Sequence, residues 1–142
     1  GNVGIGTTAP SAQLHTTGTL RFAAFGIGTL TSDASGNITA ASDERLKNIE
    51  GQFSRGLSSI LALNPIVYKW NEKSGLETEH IYAGFSAQDV KKAIPEAVGQ
   101  DNRGFLSLSD RPVIATLVNA VKELQSEIEG LKAKIAELEA EK

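Results

Sequence analysis

The chain contains no cysteine. That excludes a disulfide scaffold, a thiol nucleophile and a cysteine-ligated zinc site. Its two histidines, His15 and His80, lie far apart in sequence, so a histidine-rich metal site is not expected, and no cofactor is expected either. Aromatic residues make up 6% of the chain and are not interleaved with basic ones, which argues against a stacking platform for single-stranded nucleic acid. The net charge of −3 leaves no basic surface to grip a phosphate backbone, so no nucleic-acid partner is expected. No apolar run approaches the roughly 20 residues that cross a bilayer, and no charged segment precedes an apolar core at the start. Neither a membrane partner nor a signal peptide is expected.

Charge is also missing locally. Residues 1–42 hold only Arg21 and Asp33, whereas the remaining 100 residues carry 29 of the 31 charged side chains. The same stretch holds seven of the 14 glycines, and eight threonines. Such a composition offers few large apolar groups for a core and little charge for solvation, so it suits the end of something longer that pairs with other chains. The break falls at Ala40-Ala41-Ser42-Asp43, giving expected domains of 1–42, 43–111 and 112–142.

Within 1–42, short β-prone runs alternate with turn signals. Asn2–Thr7, Gln13–Thr16, Thr19–Phe22, the glycine-broken run Phe25–Leu30, and Ile38-Thr39 after the turn Ser35-Gly36-Asn37 are the candidates. None is long enough to stand alone, and intertwining with other subunits would satisfy their edges. After Ser42 the pattern becomes α+β. Phe53, Leu57, Ile60 and Leu61 predict a helix over 53–63 that Asn64-Pro65 ends. Ile66, Tyr68 and Trp70 alternate as a strand with one aromatic face, and Ile81–Phe85 and Phe105–Leu108 predict two more strands. Ala87, Val90, Lys91 and Ile94 follow helical spacing up to Pro95.

The last segment carries heptads. Ile114, Val121, Ile128 and Ile135 take a positions, and Leu117, Leu124, Leu131 and Leu138 take d, with Asp110 as expected N-cap and Pro112 in the first turn. Glu127 (g) would face Lys132 (e) of a neighbour, and Lys134 (g) would face Glu139 (e); both pairs favour parallel, in-register helices. Isoleucine at a with leucine at d leans toward two strands, so these residues alone do not specify a trimer. Gly130, at a c position, weakens the helix by about 1 kcal/mol.

Among candidate chemistries, Gly4-Ile5-Gly6-Thr7-Thr8-Ala9 imitates a dinucleotide-binding turn. No strand precedes it and no helical periodicity follows, so glycine-broken β-structure is the better account. Glu77, Glu79 and His80 lie close together, but no second histidine stands at ligand spacing, and a solvated loop is expected. Ser42-Asp43-Glu44-Arg45-Leu46-Lys47 has more specific content. A serine becomes a nucleophile when a base takes its proton, and a lysine can be that base when neutral. Five residues on a helix set side chains about 140° apart, and on a strand about 17 Å apart. Pairing Ser42 with Lys47 therefore needs an intervening turn or a lysine from another subunit. The alternative is that Ser42 or Asp43 caps a short helix running to Glu50 and Lys47 is solvated.

The string Ser42-Asp43-Glu44-Arg45-Leu46-Lys47-Asn48-Ile49 resembles the opening of the self-cleaving intramolecular chaperone domain at the C-terminus of phage tailspikes and tail fibres, best known in endosialidase tailspikes. The resemblance continues in order through Leu63-Asn64-Pro65-Ile66-Val67-Tyr68-Lys69-Trp70, Ala83-Gly84-Phe85-Ser86-Ala87-Gln88-Asp89-Val90, Ile94-Pro95-Glu96-Ala97-Val98 and Ala120-Val121-Lys122-Glu123-Leu124. It implies a homotrimer, with residues 1–42 as the end of a β-rich stalk and the final helix in a parallel trimeric coiled coil. It further implies self-cleavage by a serine–lysine pair mapping onto Ser42 and Lys47, with the cut expected at Ser42-Asp43, or one residue earlier if Ser42 attacks the Ala41 carbonyl. Glu44 and Arg45 would position the motif. Assembly would take place in the host cytoplasm, the N-terminal part staying in the virion fibre while the chaperone leaves. Serine at position 86, where relatives often carry a bulkier apolar residue, departs from the pattern away from the pair.

Overall fold

A computed structural model describes residues 1–23, 25, 26, 28–33 and 35–141. It shows a small α+β arrangement followed by a long C-terminal helix, and the chain divides into two compact units, Gly1–Ile49 and Glu50–Lys142.

In the first unit, β1 (Val3–Ile5) lies parallel to β2 (Leu14–Thr16), with Val3 opposite Leu14 and Ile5 opposite Thr16. Parallel neighbours usually need a crossover of a dozen residues or more. Here residues 6–13 suffice, because Gly6 turns the chain at φ +81° and the Thr17 hydroxyl, donating to the Gly6 carbonyl, occupies the space a Cβ on Gly6 would need. A hairpin follows, β3 (Thr31–Ser32) antiparallel to β4 (Ile38–Thr39). The Asp33 carboxylate organises its turn, accepting from the backbone N–H of Ser35 and Asn37, both at 2.9 Å, and from Asn37 Nδ2 at 2.8 Å. These bonds, the Asn37 side chain foremost, hold the Asp33 carboxyl below the usual aspartate range. The strand expected at Thr19–Phe22 does not form: those residues are irregular and exposed. The run Phe25–Leu30 includes Ile27, outside the described residues, and its described residues carry no strand. No described residue of this unit is buried, and Val3, Ile5, Leu14, Leu20, Phe22, Leu30 and Ile38 are all exposed.

The second unit has a core. Its elements are α1 (Leu57–Leu61), β5 (Ile66–Tyr68), β6 (Tyr82–Gly84), α2 (Ala87–Ala93), a 3-10 turn at Pro95–Ala97, β7 (Val98–Gln100), β8 (Leu106–Leu108) and α3 (Asp110–Ala140). Two antiparallel pairs, β5–β6 and β7–β8, flank α2 in sequence. Val90, Ile94, Ala97 and Val113 are buried together, with Ile60, Leu63, Phe85, Ala93, Val98 and Leu108 packed around them. Pro95 lacks the N–H that would extend α2, so the helix ends and the chain turns into β7. The expected helix over 53–63 is shorter than its spacing implied, beginning only at Leu57 because residues 53–56 are drawn into contacts described below.

α3 is 31 residues long, about 46 Å at 1.5 Å per residue. Its N-cap is Ser109 rather than the expected Asp110, which is already the first helical residue; the Ser109 N–H donates to the Ala97 carbonyl at 2.8 Å and so ties the cap to the core. Val113, Thr116 and Ala120 form its buried face, and the Thr116 hydroxyl is satisfied by the Pro112 carbonyl at 2.7 Å. Every residue from 121 to 140 is exposed. Among the described residues, no helix is long and apolar enough to cross a membrane.

Candidate functional site

Ser42 and Lys47 come together through the local fold of four residues. Asp43 is extended (φ −64°, ψ 136°) and caps a single 3-10 turn at Glu44–Leu46, its Oδ1 accepting from the Arg45 N–H at 2.9 Å. The turn closes with Leu46 N–H donating to the Asp43 carbonyl at 3.1 Å and Lys47 N–H to the Glu44 carbonyl at 2.9 Å. The Arg45 side chain folds back on the same carboxylate, Nε donating to Oδ1 at 3.0 Å and Nη2 to Oδ2 at 2.7 Å. A forked guanidinium–carboxylate contact fixes orientation as well as distance. Asp43 thus braces the turn from both backbone and side chain, and Lys47 leaves it extended with Nζ donating to Ser42 Oγ at 3.0 Å.

The Arg45 guanidinium holds the Asp43 carboxyl below the ordinary aspartate range, with a smaller contribution from the charge on Lys47, and Asp43 in turn raises Arg45. Asp43 is therefore an anion at neutral pH. Ser42, Asp43, Glu44, Arg45 and Lys47 are all exposed. The alternative expectation of a short helix running to Glu50 is met only by this one turn, and residues 47–50 continue without helix.

The eight heptad residues Ile114, Leu117, Val121, Leu124, Ile128, Leu131, Ile135 and Leu138 are exposed along α3, between 42% and 63% each. At 100° per residue they form a stripe on the side away from Thr116, so the helix can pack its own core and offer an apolar seam at once.

The other candidates resolve into local structure. Glu77 accepts from the backbone N–H groups of Glu79 and His80, and the His80 ring packs edge-on to Tyr82 with centroids 4.6 Å apart. Among the described residues, no three histidine, aspartate or glutamate side chains gather as metal ligands. His15 Nδ1 accepts from the Ser11 N–H at 3.2 Å. Gly4 and Ile5 lie in β1, and no helix opens after Ala9. Tyr68, Trp70 and Tyr82 cluster on one face of the β5–β6 hairpin, Tyr68 stacked on Tyr82 at 5.7 Å.

One group of contacts lies outside the sequence expectations. Asn119 Nδ2 donates to the Phe53 and Arg55 carbonyls, and Glu123 accepts from the Leu57 N–H. Two signals pointed to it: Gly56 inside an otherwise helical pattern marks a close approach, and Asn119 is a poor helix former among good ones.

Residues 42–99 match the model of a family described as "Chaperone of endosialidase", whose name classes it among peptidases, and the match begins at Ser42 itself. Over these residues the chain is similar to the endosialidase-chaperone family, and with the relatives below this supports a tail-fibre chaperone domain. The relatives are tail-fibre proteins. The chain is 34% identical over 103 residues to long tail fiber protein Gp37 of Enterobacteria phage K3, covering 70% of this chain and 8% of that protein, and equally similar to Gp37 of phage T2. Against Gp37 of phage Ox2 it is 31% identical over 115 residues, covering 74% of this chain and 45% of the relative. The chain thus spans less than half the length of these relatives. Within the endosialidase-chaperone match lie the Ser42–Lys47 contact and the core residues Val90, Ile94 and Ala97.

Proposed function

We propose that this chain is an intramolecular chaperone that assembles a phage tail fibre as a homotrimer and then releases itself by cutting its own backbone at Ser42-Asp43. The observation that carries the reading is the 3.0 Å contact from Lys47 Nζ to Ser42 Oγ across a turn braced by Asp43 and Arg45. In the reaction, Lys47 first gives its ammonium proton to water; the neutral amine then takes the Ser42 hydroxyl proton as Oγ attacks a peptide carbonyl. The C–N bond then breaks, with Lys47 returning the proton to the leaving amine, and water hydrolyses the resulting ester to a carboxylate and free hydroxyl. For the Ser42-Asp43 bond the carbonyl is that of Ser42, and its own Oγ would close a strained four-membered ring. The attacking hydroxyl for that cut therefore comes from another chain. Attack by Ser42 on the Ala41 carbonyl closes a five-membered ring within one chain and cuts one residue earlier.

The trimer reading is supported by the exposed heptad stripe of α3 and by residues 1–42, whose short strands lack a core of their own. Three chaperone segments joined through the seam would bring three stalk ends, the preceding part of each chain, into register in the host cytoplasm. After release the fibre in the virion could no longer unfold and reassemble, so its stability would be kinetic. Residues 43–111 and 112–142 would act as the folding unit and the coiled coil.

The test is a denaturing gel of wild type, Ser42→Ala and Lys47→Ala side by side. Wild type is expected as two fragments and each variant as one intact band. N-terminal sequencing of the released fragment separates a cut after Ser42, which leaves Asp43 first, from a cut before it. A second reading, a trimerisation module that cuts nothing, is favoured by Asp43 acting as an ordinary cap on the Glu44–Leu46 turn. An intact wild type that sediments as a trimer would establish it.

A further inference from the structure

The root of the α3 seam differs from the rest of it. Val118, an e position between the seam residues Leu117 and Val121, is apolar, 50% exposed and outside the core cluster. The e positions of the later heptads are Gln125, Lys132 and Glu139. The g side changes as well: Val113 and Ala120 are buried in the chain's own core face, whereas Glu127 and Lys134 are exposed. At 100° per residue, Ile114, Leu117 and Val121 span about 60° of the helix surface, and Val118 widens the stripe to about 100°. From Leu124 onward the a and d residues alone keep it near about 60°. A narrow a and d stripe is the seam of a coiled coil, and one of about 100° is the face of a helix with more apolar neighbours.

That width bears on how many chains meet. Isoleucine or valine at a with leucine at d favours two strands. Between two helices an e side chain sits at the rim, half in water, where a charged or polar residue serves better than valine. A third helix gives each chain two neighbours, and the e side chain is then covered. The register that sets Glu127 opposite Lys132 of a neighbour also sets Val113 opposite Val118, an apolar pair where the later heptads pair charges. Val118 continues the heptad stripe without a break, so the occupant of this face is a further copy of the same chain.

We infer that Val118 is a specificity-determining residue of the assembly, widening the root of the seam so that three copies close on it where the a and d residues alone would stop at two. The inference rests on the trimer reading above and concerns α3 alone. The later heptads, with their strict a and d stripe, hold chains together; the root counts them.

The test is native mass spectrometry of the full chain, which counts copies directly. Wild type is expected as three. Val118→Gln, which repeats at 118 the residue type found at 125, should make two copies the main species, changing the ratio of the two forms by about tenfold or more. Amide protection at Val90 and Ile94 should stay at the wild-type level, because Val118 lies outside their cluster. Adding Gln125→Val restores the width one heptad further on, at the loss of the exposed bond from Gln125 to Glu129, and should return three copies. Three copies in Val118→Gln, dissociating on dilution as wild type does, would overturn the inference and leave the trimer reading intact. A fall to monomers would overturn it too, since Val118 would then govern affinity and not number, as would a double variant that stays at two. Should protection of the core drop in Val118→Gln, Val118→Thr, which keeps the branched shape and adds a hydroxyl, decides by the same count. A wild type of any number other than three ends both readings.

Discussion

The two compact units are built on opposite terms. Residues 50–142 bury Val90, Ile94, Ala97, Val113 and Ala120, and every buried polar side chain there has a partner. Residues 1–49 bury nothing among those described; they are two isolated strand pairs joined by irregular chain, with apolar side chains facing outward. A two-stranded pair is marginal by itself in water. The order in the first unit comes from turns: Gly6 with Thr17, Asp33 with Asn37, Asp43 with Arg45. What differs is the range of the interactions, local hydrogen bonding in one unit and long-range packing in the other. The seam of α3 places the same lesson inside the second unit, where a self-sufficient core sits beside a stripe that its own chain leaves open.

This contrast can be broken experimentally. The largest effect is expected from placing Asp at both Leu124 and Ile128. Each would put an unpaired charge into the seam, at a cost of several kcal/mol, and assembly should be lost. Because the seam lies away from Val113, Thr116 and Ala120, the monomer should keep a cooperative unfolding transition; sedimentation and calorimetry measure the two separately. An undisturbed oligomer would show that the stripe is not the joint. Next in size, Ile94→Ala removes the most enclosed large side chain of the core and should lower the stability of the second unit by about 2–5 kcal/mol in denaturant titrations. Amide exchange across residues 31–39 should not change, and acceleration there would mean that the units are not independent.

The smallest effect is electrostatic. Arg55 holds the Glu96 carboxyl below the ordinary glutamate range, so the unfolded chain takes up a proton there first as pH falls. The stability this pair adds is therefore present above the unfolded pKa, about 4.3, and is lost as pH drops through the lower folded value. Glu96→Gln should flatten that part of the acid profile by about 1 kcal/mol or less, since both side chains are partly exposed. The Asp33 turn shifts in the same direction in the first unit and should be untouched by the change.

Much of the second unit was legible in its residues. The heptads of α3, the stop at Pro95 and the aromatic alternation of Tyr68 and Trp70 each follow from side-chain period or a missing N–H, and such signals are local. The contacts at 53–57 leave only faint marks in the sequence, Gly56 and Asn119, and the helical spacing there is overridden by Asn119 and Glu123, partners 66 positions from Phe53 and Leu57. β7 carries no sequence signal of its own, because three residues with a central glycine have no period. At the site, the residue types Ser42 and Lys47 stood out, but an i, i+5 spacing puts them on one face of no regular element. Only the braced turn brings them within 3.0 Å. The strand expected at Thr19–Phe22 had β-prone composition and no pairing partner, and composition without pairing does not make a strand.

The last core residue of α3 is Ala120, and the helix runs on to Ala140. Those twenty residues make an overhang of about 30 Å, tied back to α1 near its root by the Glu123 contact with the Leu57 N–H. A helix of that length alone in water is only marginally stable, while the same helix laid against a like neighbour is a stiff rod. In the proposed trimer the overhang would therefore be a mechanical gauge, its bending stiffness set by whether the other chains have packed on it.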